Sequence, residues 1–161
     1  MDLEKFKIKS HHLKKENSLF LKSLKKKNER KLDDSFHKLH DSVFKKTDCL
    51  KCANCCKTTS PMVREIDISK IALHLKQKPS EVISKYFIKE PDGTYIVNSA
   101  PCPFLDSENY CSIYTSRPGA CREFPHTNRK KMNQLLDITF ENTLVCPAVL
   151  EIIEQLKKIE L

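Results

Sequence analysis

Apolar residues in the first 47 positions fall at Leu13, Phe20 and Leu24, then at Leu32, Phe36, Leu39 and Val43, in steps of seven, four and three within each run. Such steps return to one face of a 3.6-residue helix. Neither proline nor glycine interrupts them. The spacing predicts one long helix or two from about Ser10 to Lys46, with a break near Asn28. The apolar stripe is expected to pack on the rest of the chain or on a second copy, and the lysines to form a solvated face.

The pattern then changes. Pro61-Met62-Val63 reads as a short extended piece, and Ile68, Ile71, Ala72 and Leu75 line one side of a helix from Ile66 to Lys76. Pro79 suits the first turn of another helix, carrying Val82, Ile83 and Tyr86. Pro91-Asp92-Gly93 is a turn signal, and Thr94-Tyr95-Ile96-Val97 beside it is β-prone, so a hairpin is expected. A second small hairpin is expected where Pro101–Leu105 and Tyr110–Tyr114 flank the polar turn Asp106–Asn109. Met132, Leu135, Leu136, Thr139 and Phe140 predict a helix over about 128–142. A final helix starts at Pro147, with Val149, Ile152, Ile153, Leu156 and Ile159 on one face and Lys157 and Lys158 at its C-terminal end. The expected fold is mainly α with small β-hairpins (α+β). Residues 1–47 form a long helical arm, and 48–161, including the C-terminal helix, form a small cysteine-rich, metal-organised domain.

Composition sharpens this. A chain of 161 residues suits one domain with an appendage, and 39% apolar content, no tryptophan and two glycines make its core lean. An inorganic cross-link worth on the order of 10 kcal/mol would matter to such a fold. Of the net charge of +8, residues 1–47 supply +7, as fourteen Lys/Arg against seven Asp/Glu. The arm lacks interleaved aromatics, so nucleic acid is not the expected partner. Association with a protein or a second copy through the N-terminal helix fits better. No run of about 18 apolar residues exists, no membrane contact is expected, and the lysine-rich start is unlike a secretory signal. The expectation is a soluble, cytoplasmic protein.

The chemistry lies in sulfur. Cys49, Cys52, Cys55 and Cys56 fall within eight consecutive residues as C-x2-C-x2-C-C. Thiolates are soft ligands, and x2 spacing lets a short segment present several sulfurs to one centre. Three cysteines at that spacing also open the bacterial ferredoxin run, which tilts the expected metal from zinc towards iron. Adjacent side chains tend to diverge, so Cys55 and Cys56 are expected to serve different centres. Cys102, Cys111, Cys121 and Cys146 stand alone, two of them before proline. Eight thiols would supply two four-sulfur sites. Disulfides, redox-active thiols or plain buried thiols are the competing readings; disulfides suit a secreted chain and a higher cysteine content, whereas in a reducing compartment such thiols read as metal-binding or redox-active.

A second stretch, Arg117-Pro118-Gly119-Ala120-Cys121-Arg122, places arginines on both sides of a thiol. Guanidinium groups there would offset the negative charge of a thiolate-bound centre and donate hydrogen bonds to sulfur. The competing role for Arg117 and Arg122 is surface pairing with acids. His126 ranks below every cysteine as a ligand. His37 and His40, three apart on the arm, read as ordinary surface histidines before they read as a metal site.

The ordered set C-x2-C-x2-C-C, C-P-F-L, C-x-I-Y, R-P-x-x-C-R-x-F-P and a late Cys-Pro resembles the YkgJ-like cysteine-cluster family of zinc- or iron-chelating domains, over about residues 48–150. The resemblance implies that Cys49, Cys52, Cys55, Cys56, Cys102, Cys111, Cys121 and Cys146 are metal ligands, supported by Arg117, Pro118, Arg122 and Pro125. It implies nothing for the arm. A larger relative, the flagellin lysine N-methylase, has a similar cluster, but this chain is short for that enzyme's additional regions.

Three function classes follow. One is a metal-binding protein holding an iron–sulfur cluster or zinc, in a structural, metal-handling or electron-transfer role. Another is a small metal-dependent redox or methyl-transfer enzyme. The last is a zinc module binding nucleic acid or protein through the arm. No Gly-rich phosphate loop, H-E-x-x-H or nucleophile–base pair is present to name a reaction.

Overall fold

Asp2 and Asn28 set the starts of the first and third helices. The Asp2 carboxylate accepts the N–H groups of Glu4 and Lys5 at 3.1 Å, and the Asn28 side chain accepts that of Lys31 at 3.0 Å. In the computed structural model, which describes residues 2–160, the helices are α1 (Leu3–His12), α2 (Lys14–Leu24) and α3 (Glu29–Phe44), then the short α4 (Cys49–Cys52) and α5 (Asn54–Thr58). Strand β1 (Met62–Val63) precedes α6 (Glu65–Leu75), α7 (Pro79–Tyr86), β2 (Phe87–Lys89) and β3 (Tyr95–Val97). The short α8 (Gly119–Glu123), α9 (Leu136–Val145) and α10 (Pro147–Leu156) complete the order. The structure is mainly α with a small antiparallel sheet, as the pattern of apolar positions implied.

These elements form two compact units. One comprises the chain up to Cys52 together with the chain from Pro125 onward; the other is Ala53–Phe124. The units do not follow a single cut in the chain, because the first and last helices share a hydrophobic core. Leu32, Phe36 and Val43 of α3 are buried with Leu21 and Leu24 of α2 and with Val149, Ile152, Ile153 and Leu156 of α10. The arm's stripe thus packs on the C-terminal helix.

The helix expected from residue 128 starts later. The Asp33 carboxylate of α3 accepts the backbone N–H groups of Lys131 and Met132, each at 2.8 Å. Lys131 takes a left-handed conformation (φ 59°), and after a 3₁₀ turn at Met132–Gln134 the chain enters α9 only at Leu136. A carboxylate brought in by tertiary packing overrides local helical periodicity there.

The second unit is built on the order β1-β3-β2, with Val63 opposite Tyr95 and Ile88 opposite Ile96. Val63, Ile71, Val82, Val97, Phe104 and Ile113 are buried together. The second hairpin forms as expected: Leu105 pairs with Cys111, and the Ser112 N–H donates to the Phe104 carbonyl at 2.8 Å. Among the described residues, no helix is long and apolar enough to cross a membrane.

Candidate metal centre

The C-x2-C-x2-C-C run folds as two helical turns joined by one strained residue. Asp48 starts α4 by accepting the N–H groups of Leu50 and Lys51 at 3.1 and 3.2 Å. Ala53 then adopts φ 46°, a left-handed conformation that a residue with a Cβ takes at a cost of about 1–2 kcal/mol, and α5 begins. Cys55 and Cys56 do not diverge. Their sulfurs approach to 3.9 Å. Two thiolates on one tetrahedral zinc, with Zn–S near 2.3 Å, stand about 3.8 Å apart.

Within the unit Ala53–Phe124, four thiols feel one another electrostatically: Cys56, Cys102, Cys111 and Cys121. Local structure places each of them. The Cys102 N–H donates to the Cys56 carbonyl at 2.8 Å, which ties the end of the motif to the start of the second hairpin. Asp106 closes that hairpin by accepting the N–H groups of Glu108 and Tyr110, so Cys102 and Cys111 fall on its two arms. Cys121 sits in α8, where Pro118 supplies the entry turn and its carbonyl accepts the Cys121 N–H at 3.0 Å.

The sulfurs of Cys102 and Cys111 also accept backbone hydrogen bonds from two or three residues on. Phe104 and Leu105 donate to Cys102, and Ile113 donates to Cys111. Pro103 has no N–H, so the donors come from the turn behind it. Donors aimed at sulfur stabilise thiolate over thiol. Burial opposes them and wins: it raises the Cys102 and Cys111 thiols above the ordinary range and pushes Cys121 up to about 12. Cys56 goes the other way, lowered to about 7 by hydrogen bonding with Cys55 and, against burial, by the charges of Arg117 and Lys57. Near neutral pH Cys56 is thus the one of the four whose ionisation is favoured, beside three thiols held neutral.

Arg117 lies beside these sulfurs, and its charge favours the ionised forms of Cys56, Cys111 and Cys121. Its guanidinium carbon stands 3.7 Å from the centre of the Tyr114 ring. Its Nε and Nη1 are buried and have no hydrogen-bond partner among the described residues. Arg122 makes the kind of contact expected of a surface pair, but with a buried acid: its Nη2 is 3.9 Å from Asp67, and its Nη1 donates to the Arg117 carbonyl. Asp67 carries little signal in the sequence: an acid three residues after Arg64 at a helix start looks like ordinary capping.

A family model described as "Putative zinc- or iron-chelating domain", the CxxCxxCC family, matches residues 48–139, more than half of the chain. The chain belongs to the CxxCxxCC family. An uncharacterized protein of Methanocaldococcus jannaschii is 34% identical to it over 96 residues, which are 58% of this chain and 51% of the relative. The chain thus spans about half the length of that curated relative. No solved structure matches the chain. Membership in the CxxCxxCC family supports metal binding here.

The remaining CxxCxxCC cysteines lie in the unit formed by the chain ends. Cys49 is exposed, Cys52 is half-buried, and both act electrostatically on Cys146, which links α9 to α10. Val149 and Ala148 donate backbone hydrogen bonds to the Cys146 sulfur, again from behind a proline, yet burial pushes this thiol up to about 11. Among the described residues, no three His, Cys, Asp or Glu side chains already stand at ligand distance around one point. The donor chemistry nevertheless fits a thiolate-bound metal. Backbone N–H groups approach sulfur, a cation with unpartnered donors lies beside three of the thiols, and each cysteine can re-aim its sulfur about a single side-chain torsion.

Three of the histidines have partners other than the thiols. His37 Nε2 donates to the Arg129 carbonyl at 2.8 Å, and His40 Nδ1 pairs with Thr127 Oγ1 at 2.8 Å while its ring stacks on Phe44. These two side chains hold the 127–129 segment against α3. His74 Nε2 donates to the Ser112 carbonyl at 3.1 Å. His126 occupies a left-handed turn position (φ 68°).

Proposed function

We propose that this protein binds iron, as an iron–sulfur cluster, through cysteine thiolates. Cys56, Cys102, Cys111 and Cys121 form one ligand set, and its role is electron transfer or metal handling. The observation that carries the reading is Arg117: its Nε and Nη1 are buried without partners among the described residues, its charge acts on Cys56, Cys111 and Cys121, and Cys102 and Cys111 already accept backbone hydrogen bonds. Cys49, Cys52, Cys55 and Cys146 are assigned to metal binding on the chemistry of their motif. When bound, an iron–sulfur centre supplies one-electron chemistry at a potential tuned by charge and by hydrogen bonds to sulfur. The chain's own part is to release thiol protons, hold the sulfurs with backbone N–H groups, and offset their negative charge with Arg117. Arg122 acts behind it, holding the Arg117 carbonyl.

Zinc is the second reading, favoured by the 3.9 Å approach of Cys55 and Cys56, which suits two ligands of one tetrahedral ion. The test is purification without oxygen, followed by quantification of iron, zinc and acid-labile sulfide. Brown protein absorbing near 400 nm, with iron and sulfide in proportion, supports the cluster. Colourless protein with stoichiometric zinc supports the second reading. Folded protein free of both metals and indifferent to chelators refutes both. Cys121→Ser should lower metal content in the first two cases.

A further inference from the structure

One buried charge has no part in the metal chemistry described so far. Asp67, in the first turn of α6, is 1% exposed. Burying a carboxylate is costly unless it is paired and hydrogen-bonded, and its two oxygens divide that pairing. Oδ2 accepts from the backbone N–H and the Nε of Arg64, each at 3.2 Å, which closes the start of its own helix. Oδ1 faces α8, where it accepts the Gly119 N–H at 3.2 Å and lies 3.9 Å from Arg122 Nη2. Gly119 and Arg122 flank Cys121 within one turn of helix. Arg122 passes the connection on by donating to the Arg117 carbonyl, and the Arg117 side chain acts on Cys56, Cys111 and Cys121.

Position 119 shows how closely this junction is packed. A Cβ there would stand 2.8 Å from Arg64 Nη2, the far end of a flexible side chain, so glycine lets α8 lie against the Arg64 guanidinium without displacing it. α8 itself is five residues long, too short to hold its own geometry in water. Its placement therefore depends on what it is tied to, and the buried tie is the Asp67 carboxylate.

We propose that Asp67 is a positioning residue for the metal centre: through Gly119 and Arg122 it sets where α8 presents the Cys121 sulfur and where Arg117 aims its guanidinium. The inference rests on the metal-binding reading above. A capping role for Asp67 confined to α6 would use only Oδ2. Asparagine separates the two roles. Its single oxygen can still serve the Arg64 N–H, but its amide group would then meet the Gly119 N–H and the Arg122 guanidinium donor to donor.

The experiment compares the full chain with Asp67→Asn in two states. In protein loaded with iron and sulfide, or with zinc, the variant should lose about tenfold or more in metal affinity by chelator competition, the range typical of residues that orient ligands. Its visible spectrum or potential should shift as well when iron is bound. In metal-free, reduced protein, iodoacetamide alkylation followed by peptide mass spectrometry should show Cys121 reacting several-fold faster, with Cys146 unchanged. An Asp67→Asn chain that folds, binds metal with wild-type affinity and spectrum, and protects Cys121 as before overturns the inference. Should Asp67→Asn fail to fold, Arg122→Met removes the Asp67–Arg122 contact from the other side and is judged by the same readouts. If wild-type protein takes up neither metal, the metal reading fails on its own. Cys121 alkylation then decides the positioning claim: faster reaction in the variant supports it, and an unchanged rate overturns it.

Discussion

Arg117→Met should have opposite effects on the metal-free and metal-loaded protein. In the metal-free chain, Nε and Nη1 of Arg117 are buried without partners. Each such donor forfeits about 1–3 kcal/mol of hydration. Methionine fills comparable space without donors. Against that gain stands the contact with the Tyr114 ring at 3.7 Å, worth about 0.5–1 kcal/mol because Tyr114 is largely exposed. The attraction between Arg117 and the Cys56 thiolate is also lost, but Cys56 titrates at about 7, so at pH 6 this contribution is small. The balance is a stabilisation of about 1–5 kcal/mol, readable by urea unfolding of reduced, chelator-treated protein at pH 6. In metal-loaded protein the same change removes both the compensating charge and the hydrogen bonds to sulfur, so metal affinity should fall about 10–100-fold. A metal-free variant less stable than wild type would refute the reasoning, since the guanidinium would then be satisfied by the fold itself and not held in reserve for an anionic centre.

Other consequences can be measured in the same unfolding assay. Asn17, fully buried in α2 with neither amide atom partnered among the described residues, should give a chain more stable by about 1–3 kcal/mol as Asn17→Leu; a loss of stability would mean that a bound water satisfies the amide. Phe36→Ala, at a fully buried position of α3, should cost about 3–5 kcal/mol in the unit built from the chain ends, and a cost below about 1 kcal/mol would remove α3 from that core. Burial is the main cause holding His40 below the usual histidine range, so folding favours its neutral form and stability should be lost as pH falls through and below about 6.5. His40→Gln should flatten that limb. At the alkaline end, Cys121 and Cys146 are raised to about 12 and about 11, so above about pH 9 only the unfolded chain ionises these thiols. Metal-free stability should then fall by on the order of 1 kcal/mol per pH unit for each thiol. Cys56, lowered to about 7, works the other way between pH 7 and 9 and should leave the maximum near the top of that window.

Much of the architecture was legible from local pattern. The steps among Leu32, Phe36, Leu39 and Val43 mark the buried face of α3, and Pro79 and Pro147 each stand at the first turn of a helix. The turn residues 91–93 and 106–109 locate both hairpins. These features follow from interactions between residues two to four apart, which any reader of the chain can count. The family was legible for a related reason, since its motifs are written in residue type and spacing. α1, by contrast, begins earlier than the stripe suggested, because its start rests on the Asp2 cap and only one large apolar side chain, Phe6, is buried along it.

What composition and spacing left open are the meetings between distant residues. Asp33 captures two N–H groups 98 and 99 positions away and so delays α9. Asp67 reaches 52 positions to Gly119, and one of its oxygens goes to a helix that carries a thiol. Nothing in either acid's neighbourhood along the chain separates it from a solvated carboxylate, because its partners are backbone donors brought in by packing. The same holds for Arg117: a charged residue four before a cysteine is plain in the sequence, whereas the burial of its Nε and Nη1 and its place beside Cys56, Cys111 and Cys121 exist only in the folded chain. Residue chemistry thus names the atoms capable of binding metal, and long-range packing sets which of them share an electric field, because burial and desolvation belong to the folded chain and to no stretch of it alone.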